Sequence, residues 1–300
     1  MTETDGIVLG GFKVCEPARL RGLGMTDSRL TSRPGFAHFQ QMPPLVAGHP
    51  TPTADNRQRI AMEVLEILRN NLERITSQIA DACRVAHRDP AEVRLVAVTK
   101  TVSSEVAALL TELGVSDLGE SRPQELWRKA GAIPQARWHL VGHLQRNKVE
   151  RTLPLVTLIH SVDSWRLLAA IEAAAQKINR IAEVLLEFNL SGEPAKHGFV
   201  PEQEAEVPDA LAGLHYVRVR GLMTLAPLGT DHESARPTFA ALRQLRDRLA
   251  LRLAGTPHTL HHLSMGMSND FRGAIREGAT LIRIGTALFA GLSDAHTTTA

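Results

Sequence analysis

Lys100 is the first residue of this sequence whose type and position suit chemistry. It directly follows the apolar run RLVAVT, which begins at Arg94 and is typical of a buried strand. An amine held among apolar strand residues loses hydration, which makes it a candidate nucleophile toward a carbonyl carbon. The alternative is that the aliphatic stem packs against the protein while the ammonium group reaches water. Lys100 alone therefore does not define a site.

Two downstream segments, LSMGMSNDF at 263–271 and RIGTALFAG at 283–291, carry groups that bind anions. Gly285 permits close approach of the backbone, and Thr286 supplies an N–H and a hydroxyl group. The first segment contributes Ser264, Gly266, and Ser268 or Asn269 as a candidate helix cap. Each segment alone is better explained as a turn with a serine cap. Together with Lys100, however, they describe the two attachment points of a phosphorylated aldehyde.

To meet in space, these segments need a fold that brings the first strand beside the last two. Strand-like runs alternate with helical patterns through the chain, roughly 20 to 40 residues apart. These runs begin at Arg94, Gly114, Arg137, Thr157, Glu183, Val217, Leu260 and Thr280. Crossovers of this length join parallel strands, so the pattern predicts an α/β fold with one closed (β/α)8 TIM barrel. Such barrels bind phosphate beside their seventh and eighth strands.

A doubly wound open sheet is the alternative fold. It is disfavoured because VTKTVSSE follows the first strand, where a dinucleotide-binding fold has the pattern GxGxxG. Before the barrel, apolar residues recur every three or four positions between Ile60 and Cys83, which predicts an extra N-terminal amphipathic helix that ends before Pro90. Asp55 or Asn56 is placed to cap this helix.

The predicted domain organisation has three parts. Residues 1–55 contain scattered prolines and glycines and no persistent period, which indicates a disordered extension. Residues 56–292 form the barrel, and residues 293–300 form a short tail.

The composition favours a compact protein that binds a small molecule. At 300 residues and 43% hydrophobic content, the chain can bury the core of one barrel. Its net charge of +2 gives no general attraction to nucleic acid or to a membrane surface. Cys15 and Cys83 are too few for a disulfide framework, and no apolar run reaches the about 18 residues that a membrane span needs. We therefore expect a cytoplasmic protein without disulfides.

A series of motifs runs through residues 58–292 in order and without a large gap. They are VRLVAVTKTVS, LGESRPQELWRKA, WHLVGHLQRNKV, IHSVDS, EFNLSGEPAKHGF, RGLMTLAP, LSMGMSNDF and RIGTALFAG. Together they resemble the pyridoxal-phosphate homeostasis protein family. The resemblance implies an alanine-racemase-like barrel, the fold of type III pyridoxal-phosphate proteins.

The same resemblance implies a role for each site residue. Lys100 would carry pyridoxal 5′-phosphate (PLP) as a Schiff base, and Arg283 would face the pyridine nitrogen. The phosphate would contact Ser264, Gly285 and Thr286, while Met265, Gly266 and Met267 would shape the adjoining loop. Asn189, at the end of the fifth strand, is a further candidate around the cofactor, and Glu120, His143 and Lys196 are candidates for the mouth of the pocket.

The resemblance predicts a protein that holds PLP for its intracellular homeostasis without robust turnover. A guanidinium group cannot share a proton with the ring nitrogen, so Arg283 would leave the pyridine neutral and a weaker electron sink. Alanine racemases are similar in the barrel but add a C-terminal β domain that brings a catalytic tyrosine. The single tyrosine here, Tyr216, precedes the sixth strand, at the opposite end of the barrel. We therefore predict no catalytic residue and a monomer.

Alternative functions remain an amino-acid racemase, another Schiff-base enzyme, or a barrel that serves as an interaction module and leaves Lys100 solvated. Amino acids or other B6 vitamers are further candidate ligands. Ser121 and Arg122 stand where the family commonly has an asparagine and an aromatic residue, and Ser121 is too short for an asparagine's two-sided hydrogen bonds. The pair His261 and His262 suggests a metal, but adjacent strand residues point to opposite faces. We therefore predict no metal site.

Overall fold

The computed structural model describes residues 54–193 and 196–293. Eight parallel strands in sequence order close into a barrel, because β1 pairs with β8 as well as with β2. The strands are β1 (Arg94–Val98), β2 (Asp117–Glu120), β3 (Arg137–Leu140), β4 (Leu158–Val162), β5 (Ala182–Glu187), β6 (Val217–Met223), β7 (His262–Ser264) and β8 (Leu281–Ile284). The predicted (β/α)8 barrel is confirmed, and the open sheet is excluded.

Helices between the strands surround the barrel. The α-helices of the described residues are α1 (Ala54–Val85), α2 (Ser104–Glu112), α3 (Pro123–Ala132), α4 (Val149–Thr152), α5 (Trp165–Lys177), α6 (Val207–Ala212), α7 (Arg236–Arg252) and α8 (Phe271–Arg276). Their apolar faces pack on the outer face of the strands and form the main core, with Trp138 and Phe239 among its largest buried side chains. A smaller apolar cluster, which includes Val96, Leu158 and Met223, fills the barrel interior.

Helix α1 is the predicted N-terminal helix, and it supports the segment after β8. Its apolar face is buried at Leu68 and Ile75. Asn71 Nδ2 donates to the carbonyls of Leu288 and Ala290 at 3.0 and 2.8 Å. Side-chain amide donors thus satisfy carbonyls of an irregular segment, which fixes the turn that follows Gly285.

Several predictions fall outside the described residues. They concern the extension up to residue 53, the capping side chains of Asp55 and Asn56, the tail from residue 294, and Cys15. Cys83 is a buried free thiol. None of the described helices has the length and apolarity needed to cross a membrane.

Candidate functional site

A cavity of about 370 Å³ lies at the C-terminal ends of the strands, where barrels of this kind bind ligands. Its apolar walls include Val98, Val141 and Leu225. The predicted site residues that line it are Lys100, Met267, Arg283, Gly285 and Thr286. Ser264, Gly266 and Asn189 are not among its lining residues. The cavity thus joins the first strand to the last one, as the sequence predicts.

Lys100 lies two residues beyond β1 and is exposed to the cavity. Among residues 54–193 and 196–293, its ammonium group has no hydrogen-bond or ion-pair partner. The expectation that apolar strand residues remove its hydration is wrong, because the chain leaves the strand at Val98 and carries the side chain to the rim. The amine is accessible to a ligand rather than desolvated by the protein.

A fully buried ion pair lies beneath Lys100. Lys129 Nζ is 2.7 Å from Glu120 Oε2 and donates to the carbonyl of Thr99 at 2.6 Å. The other carboxylate oxygen of Glu120 accepts from the N–H of Ser121 at 2.8 Å. Because these bonds join α3 to the ends of β1 and β2, they fix the backbone on both sides of Lys100. Glu120 is therefore a support below the cavity and not a lining residue of its mouth.

Two hydroxyl groups meet in the part of the cavity wall that follows β7 and β8. Thr286 Oγ1 donates to Ser268 Oγ at 3.1 Å, and Ser268 Oγ accepts from the N–H of Ala287 at 3.2 Å. A Cβ atom added to Gly285 would lie 3.2 Å from the carbonyl oxygen of Val98, so glycine lets β8 approach β1 here. Ser268 does not cap α8, whose N-cap is Asp270. The two hydroxyls instead form a polar corner that suits an anion such as a phosphate.

Gly266 shapes the loop beside this corner. Its φ of +93° is in the left-handed region, and an added Cβ would lie 2.6 Å from Cβ of Ala274. Its carbonyl accepts from the N–H of Arg283 at 3.0 Å, which ties the loop to β8. Gly266 therefore acts through the backbone, while the exposed Met267 lines the cavity.

Arg283 is buried but lines the cavity. Its Nη1 donates to Ser264 Oγ at 2.6 Å and its Nη2 donates to the carbonyl of Thr224 at 3.0 Å. Burial lowers the pKa of Arg283 to about 10, against the opposing effect of the Asp270 and Glu187 carboxyls. The guanidinium therefore keeps its charge at neutral pH.

Two carboxyl groups near Arg283 hold their protons more tightly than usual. Burial raises the pKa of Asp270. Burial and the neighbouring Asp163 raise the pKa of Glu187 to about 7, while Arg283 lowers it. Each carboxyl group is thus more readily protonated than an exposed one.

Ser264 faces the barrel interior. Its hydroxyl lies between Arg283 and His160, whose Nδ1 is 2.8 Å from Ser264 Oγ. His160 Nε2 lies 3.0 Å from Nδ1 of His139, and His139 Nε2 lies 2.9 Å from Oδ1 of Asp117. A chain of hydrogen bonds therefore crosses the barrel below the cavity, and the hydroxyl predicted to contact phosphate belongs to this chain.

Asn189 lies beyond β5 and organises its own loop. Its Nδ2 donates to the carbonyl of Glu193 at 2.8 Å, and its Oδ1 accepts from the Ser191 hydroxyl at 2.9 Å. It lines a separate groove that also contains Leu190 and Glu204. The structure does not bring Asn189 to the cavity of Lys100.

The remaining candidates also have other partners. His143 Nδ1 is 2.9 Å from Asp163 Oδ2, and Lys196 Nζ donates to the carbonyl of Ala226 at 2.8 Å. Ser121 lines the cavity, whereas Arg122 is exposed outside its lining. Tyr216 precedes β6 and packs partly buried at the N-terminal end of the barrel, as predicted.

Two histidine groups bear on the question of a metal. The rings of His261 and His262 lie in edge-to-face contact with centroids 5.0 Å apart. The expected opposite orientation is wrong because His261 precedes β7, which begins at His262. A different group, His143, Asp163 and His197, places its ligand atoms within 4.8 Å of one another. Its two imidazole rings stack at 18°, so their lone pairs do not converge on one ion.

Sequence reasoning missed the residues that support the site from below. Ser268, which the sequence offers with Asn269 as a candidate cap of α8, lines the cavity instead, and Lys129 has the ordinary appearance of a surface lysine on α3. His139 and His160 are each the third residue of a strand, β3 and β4. In the register of these strands His139 is opposite Leu158, so His160 lies two residues further along on the same face, and a polar residue on the inner face of each strand could have indicated this pair.

The residues fit a small phosphorylated aromatic aldehyde. The cavity offers an accessible amine, a corner of hydroxyl groups and a buried guanidinium between apolar walls. Its volume of about 370 Å³ lies within the range of small-ligand sites.

Comparisons with known proteins agree with the geometry. The family model of the alanine racemase N-terminal domain matches residues 70–293. A protein of Aquifex aeolicus (strain VF5), named pyridoxal phosphate homeostasis protein, is 41% identical over 220 residues, which cover 73% of this chain and 95% of that protein.

Solved structures are also similar. PipY of Synechococcus elongatus PCC7942, with PLP bound, has a TM-score of 0.62 and 34% identity, and the match covers 72% of this chain and 100% of that one. A crystal structure described as that of an unknown protein from Bifidobacterium adolescentis has a TM-score of 0.70 and 34% identity, over 75% of this chain and 96% of that one.

Proposed function

We propose that this chain, which belongs to the pyridoxal phosphate homeostasis protein family, holds PLP in the cavity of Lys100 and takes part in PLP homeostasis. The observation that carries the proposal is the Lys100 amine, which has no hydrogen-bond or ion-pair partner among residues 54–193 and 196–293 and lies in the same cavity as the Thr286 and Ser268 hydroxyls. PipY, 34% identical to this chain, has been solved with PLP bound. That likeness supports the assignment of the cavity.

Each residue has a distinct part in this proposal. Lys100 supplies the amine for a Schiff base with the aldehyde, and Gly285, Thr286 and Ser268 bind the phosphate. Arg283 would face the ring nitrogen, to which a guanidinium group could only donate. When bound, PLP supplies an electrophilic carbon and a ring that withdraws electrons, and an unprotonated ring withdraws them less.

The cavity favours holding the cofactor over turning substrate over. Of its lining residues in the described chain, only Lys100, Asp270 and Arg283 carry an ionisable side chain. The Asp270 carboxylate accepts from the N–H of Met267, so it is engaged in the loop. A racemase needs a second acid/base that reaches the substrate carbon, and this lining offers no tyrosine or cysteine for that role. A racemase is therefore not favoured.

We further propose that the protein works as a monomer in the cytoplasm, and that amino acids or other B6 vitamers enter the same cavity. The buried free thiol of Cys83 is consistent with a reducing compartment. One chain supplies the cavity walls, since both the first strand and the last strand contribute lining residues.

Reductive labelling tests the attachment point. PLP-loaded protein is treated with borohydride, and the modified peptide is identified by mass spectrometry. We expect one label, on Lys100, and loss of both the label and the absorbance band of the condensed amine in Lys100→Ala. Lys177→Ala removes an exposed lysine at the end of α5 and is the matched control. Equal labelling of wild type and Lys100→Ala would reject the attachment point, and rapid racemisation of any D- or L-amino acid would reject the non-enzymatic role.

A further inference from the structure

We infer that Ser264, His160, His139 and Asp117 are positioning residues for Arg283. They hold its guanidinium group in one orientation through a chain of hydrogen bonds with a single direction. The inference rests on the proposed function in one respect, namely that Arg283 faces the ring of bound PLP. The chain itself is a property of the protein alone.

The contacts are continuous from the cavity to the opposite end of the barrel. The distances between successive polar atoms are 2.6 Å from Arg283 to Ser264, 2.8 Å to His160, 3.0 Å to His139 and 2.9 Å to Asp117. Asp117 is the first residue of β2, and its carboxylate also accepts two hydrogen bonds from Arg137 at 2.9 and 2.6 Å. The chain therefore begins at the cavity and ends at a half-exposed arginine.

When both imidazoles are neutral, the chemistry of the two ends sets the direction of every bond. Arg283 can only donate and an ionised Asp117 can only accept. Ser264 therefore accepts from Arg283, and its hydroxyl proton is donated to Nδ1 of His160. His160 then donates its Nε2–H to Nδ1 of His139, whose Nε2–H is donated to Asp117. Both imidazoles then carry their proton on Nε2.

The surroundings of the chain favour this neutral arrangement. Burial lowers the pKa of His160 well below its ordinary value. For Asp117, hydrogen bonds from His139 and Arg137 outweigh the effect of burial and lower the pKa. A charged His139 would have to donate from both nitrogens, which reverses the bond to His160 and leaves the Ser264 proton without its acceptor.

The direction matters for Arg283 because two of its N–H groups are committed inside the barrel. One is donated to Ser264 and one to the carbonyl of Thr224. Because Arg283 also lines the cavity, the orientation that its guanidinium group has there depends on these two bonds. Loss of the Ser264 acceptor would release one side of the guanidinium plane.

Nitrogen NMR of the two imidazoles tests the direction without any cofactor. In the PLP-free wild-type protein, we expect His139 and His160 to have a protonated Nε2 and an unprotonated Nδ1. A protonated Nδ1 on His160 would overturn the direction, whether or not the protein binds PLP. This measurement uses only the wild-type protein, so it does not depend on whether a variant folds.

Binding experiments test the positioning. We expect Ser264→Ala and His160→Phe to weaken PLP affinity roughly tenfold, as for loss of one hydrogen bond to a charged group, and to shift the absorbance band of bound PLP. Ser264→Thr keeps the hydroxyl and should restore both. The control His258→Phe removes another buried histidine, which bonds only to the backbone, and should leave affinity and band unchanged.

The outcomes separate this inference from the proposed function. If Lys100 is labelled but Ser264→Ala and His160→Phe bind PLP with wild-type affinity and spectrum, the positioning role is overturned while the cofactor assignment stands. If Lys100 is not labelled, the cofactor assignment fails, and the imidazole tautomers still decide whether the chain has one direction.

Discussion

The cavity rests on two buried polar assemblies of different kinds. Beneath Lys100, Lys129 and Glu120 form an ion pair at 2.7 Å, and both side chains are almost fully buried. Beneath Arg283, two imidazoles and a hydroxyl form a chain that ends at Asp117. Both assemblies hold the end of a strand, but the first does so with paired charges and the second with neutral groups in series.

This difference predicts how each region responds to substitution. Removal of one member of a buried ion pair leaves the other charge without compensation, so its cost is large. Removal of one member of a neutral chain leaves only an unpaired hydrogen-bonding group, which costs less. On the Lys100 side of the cavity, the ion pair should therefore mainly affect the stability of the fold. On the Arg283 side, the hydrogen-bond chain should mainly affect the orientation of the guanidinium group.

Lys129→Met gives the largest expected effect. It leaves the Glu120 carboxylate buried and unpaired and removes the donor to the Thr99 carbonyl. We expect the free energy of unfolding to fall by about 3–5 kcal/mol, measured by urea denaturation at pH 7.

Two variants control for this result. Lys177→Met removes an exposed lysine that pairs with Glu150 and should change stability by less than about 1 kcal/mol. Adding Glu120→Gln to Lys129→Met removes the uncompensated charge and should recover part of the loss. Equal effects of Lys129→Met and Lys177→Met would contradict the role assigned to the buried pair.

The positions of the strands were predictable because each strand is a short apolar run between helical patterns. Since parallel strands place their C-terminal ends together, the meeting of Lys100 with Gly285 and Thr286 followed from the strand order. For these residues, the local sequence and the strand order are enough to predict their position. The orientation of the Ser264 side chain was harder to predict, because it depends on a contact with His160, which is 104 positions away in the chain.

Lys129 shows a second limit of sequence reasoning. A lysine in the pattern LWRKA has the composition of a solvated helix face, and its complete burial depends on Glu120 at the end of the neighbouring strand. Lys100 shows the reverse case, because its apolar neighbours suggested desolvation but the chain turns outward after Val98. In both cases the environment comes from tertiary packing rather than from the local pattern.

The second largest expected effect is a pH-dependent change in stability caused by Glu187, on the Arg283 side of the cavity. Because its pKa in the folded protein is about 7, above the ordinary value of 4.5, its contribution to stability is fully present below pH 4.5 and is lost as pH rises through 7. Relative to Glu187→Gln, the wild type should lose up to about 3 kcal/mol over this range.

Urea denaturation from pH 4.5 to pH 8 measures this loss. Glu183→Gln, on the same strand but paired with Arg220, is the matched control and should keep the wild-type dependence. Parallel stability curves for wild type and Glu187→Gln would mean that the carboxyl group is not held protonated beside Arg283.

Asp117→Asn should give the smallest of the three effects, because it changes the end of the neutral chain that lies next to a half-exposed arginine. The amide oxygen can still accept from His139, so we expect a loss of only about 1–2 kcal/mol at pH 7. The pKa of Asp117 is lowered in the folded protein, so its contribution to stability is present above its ordinary value of 3.8 and is lost as pH falls further. Wild type and variant should therefore converge in stability toward pH 3. A loss at pH 7 as large as that of Lys129→Met would show that the chain depends on the Asp117 charge, and the contrast between a charged and a neutral support would then fail.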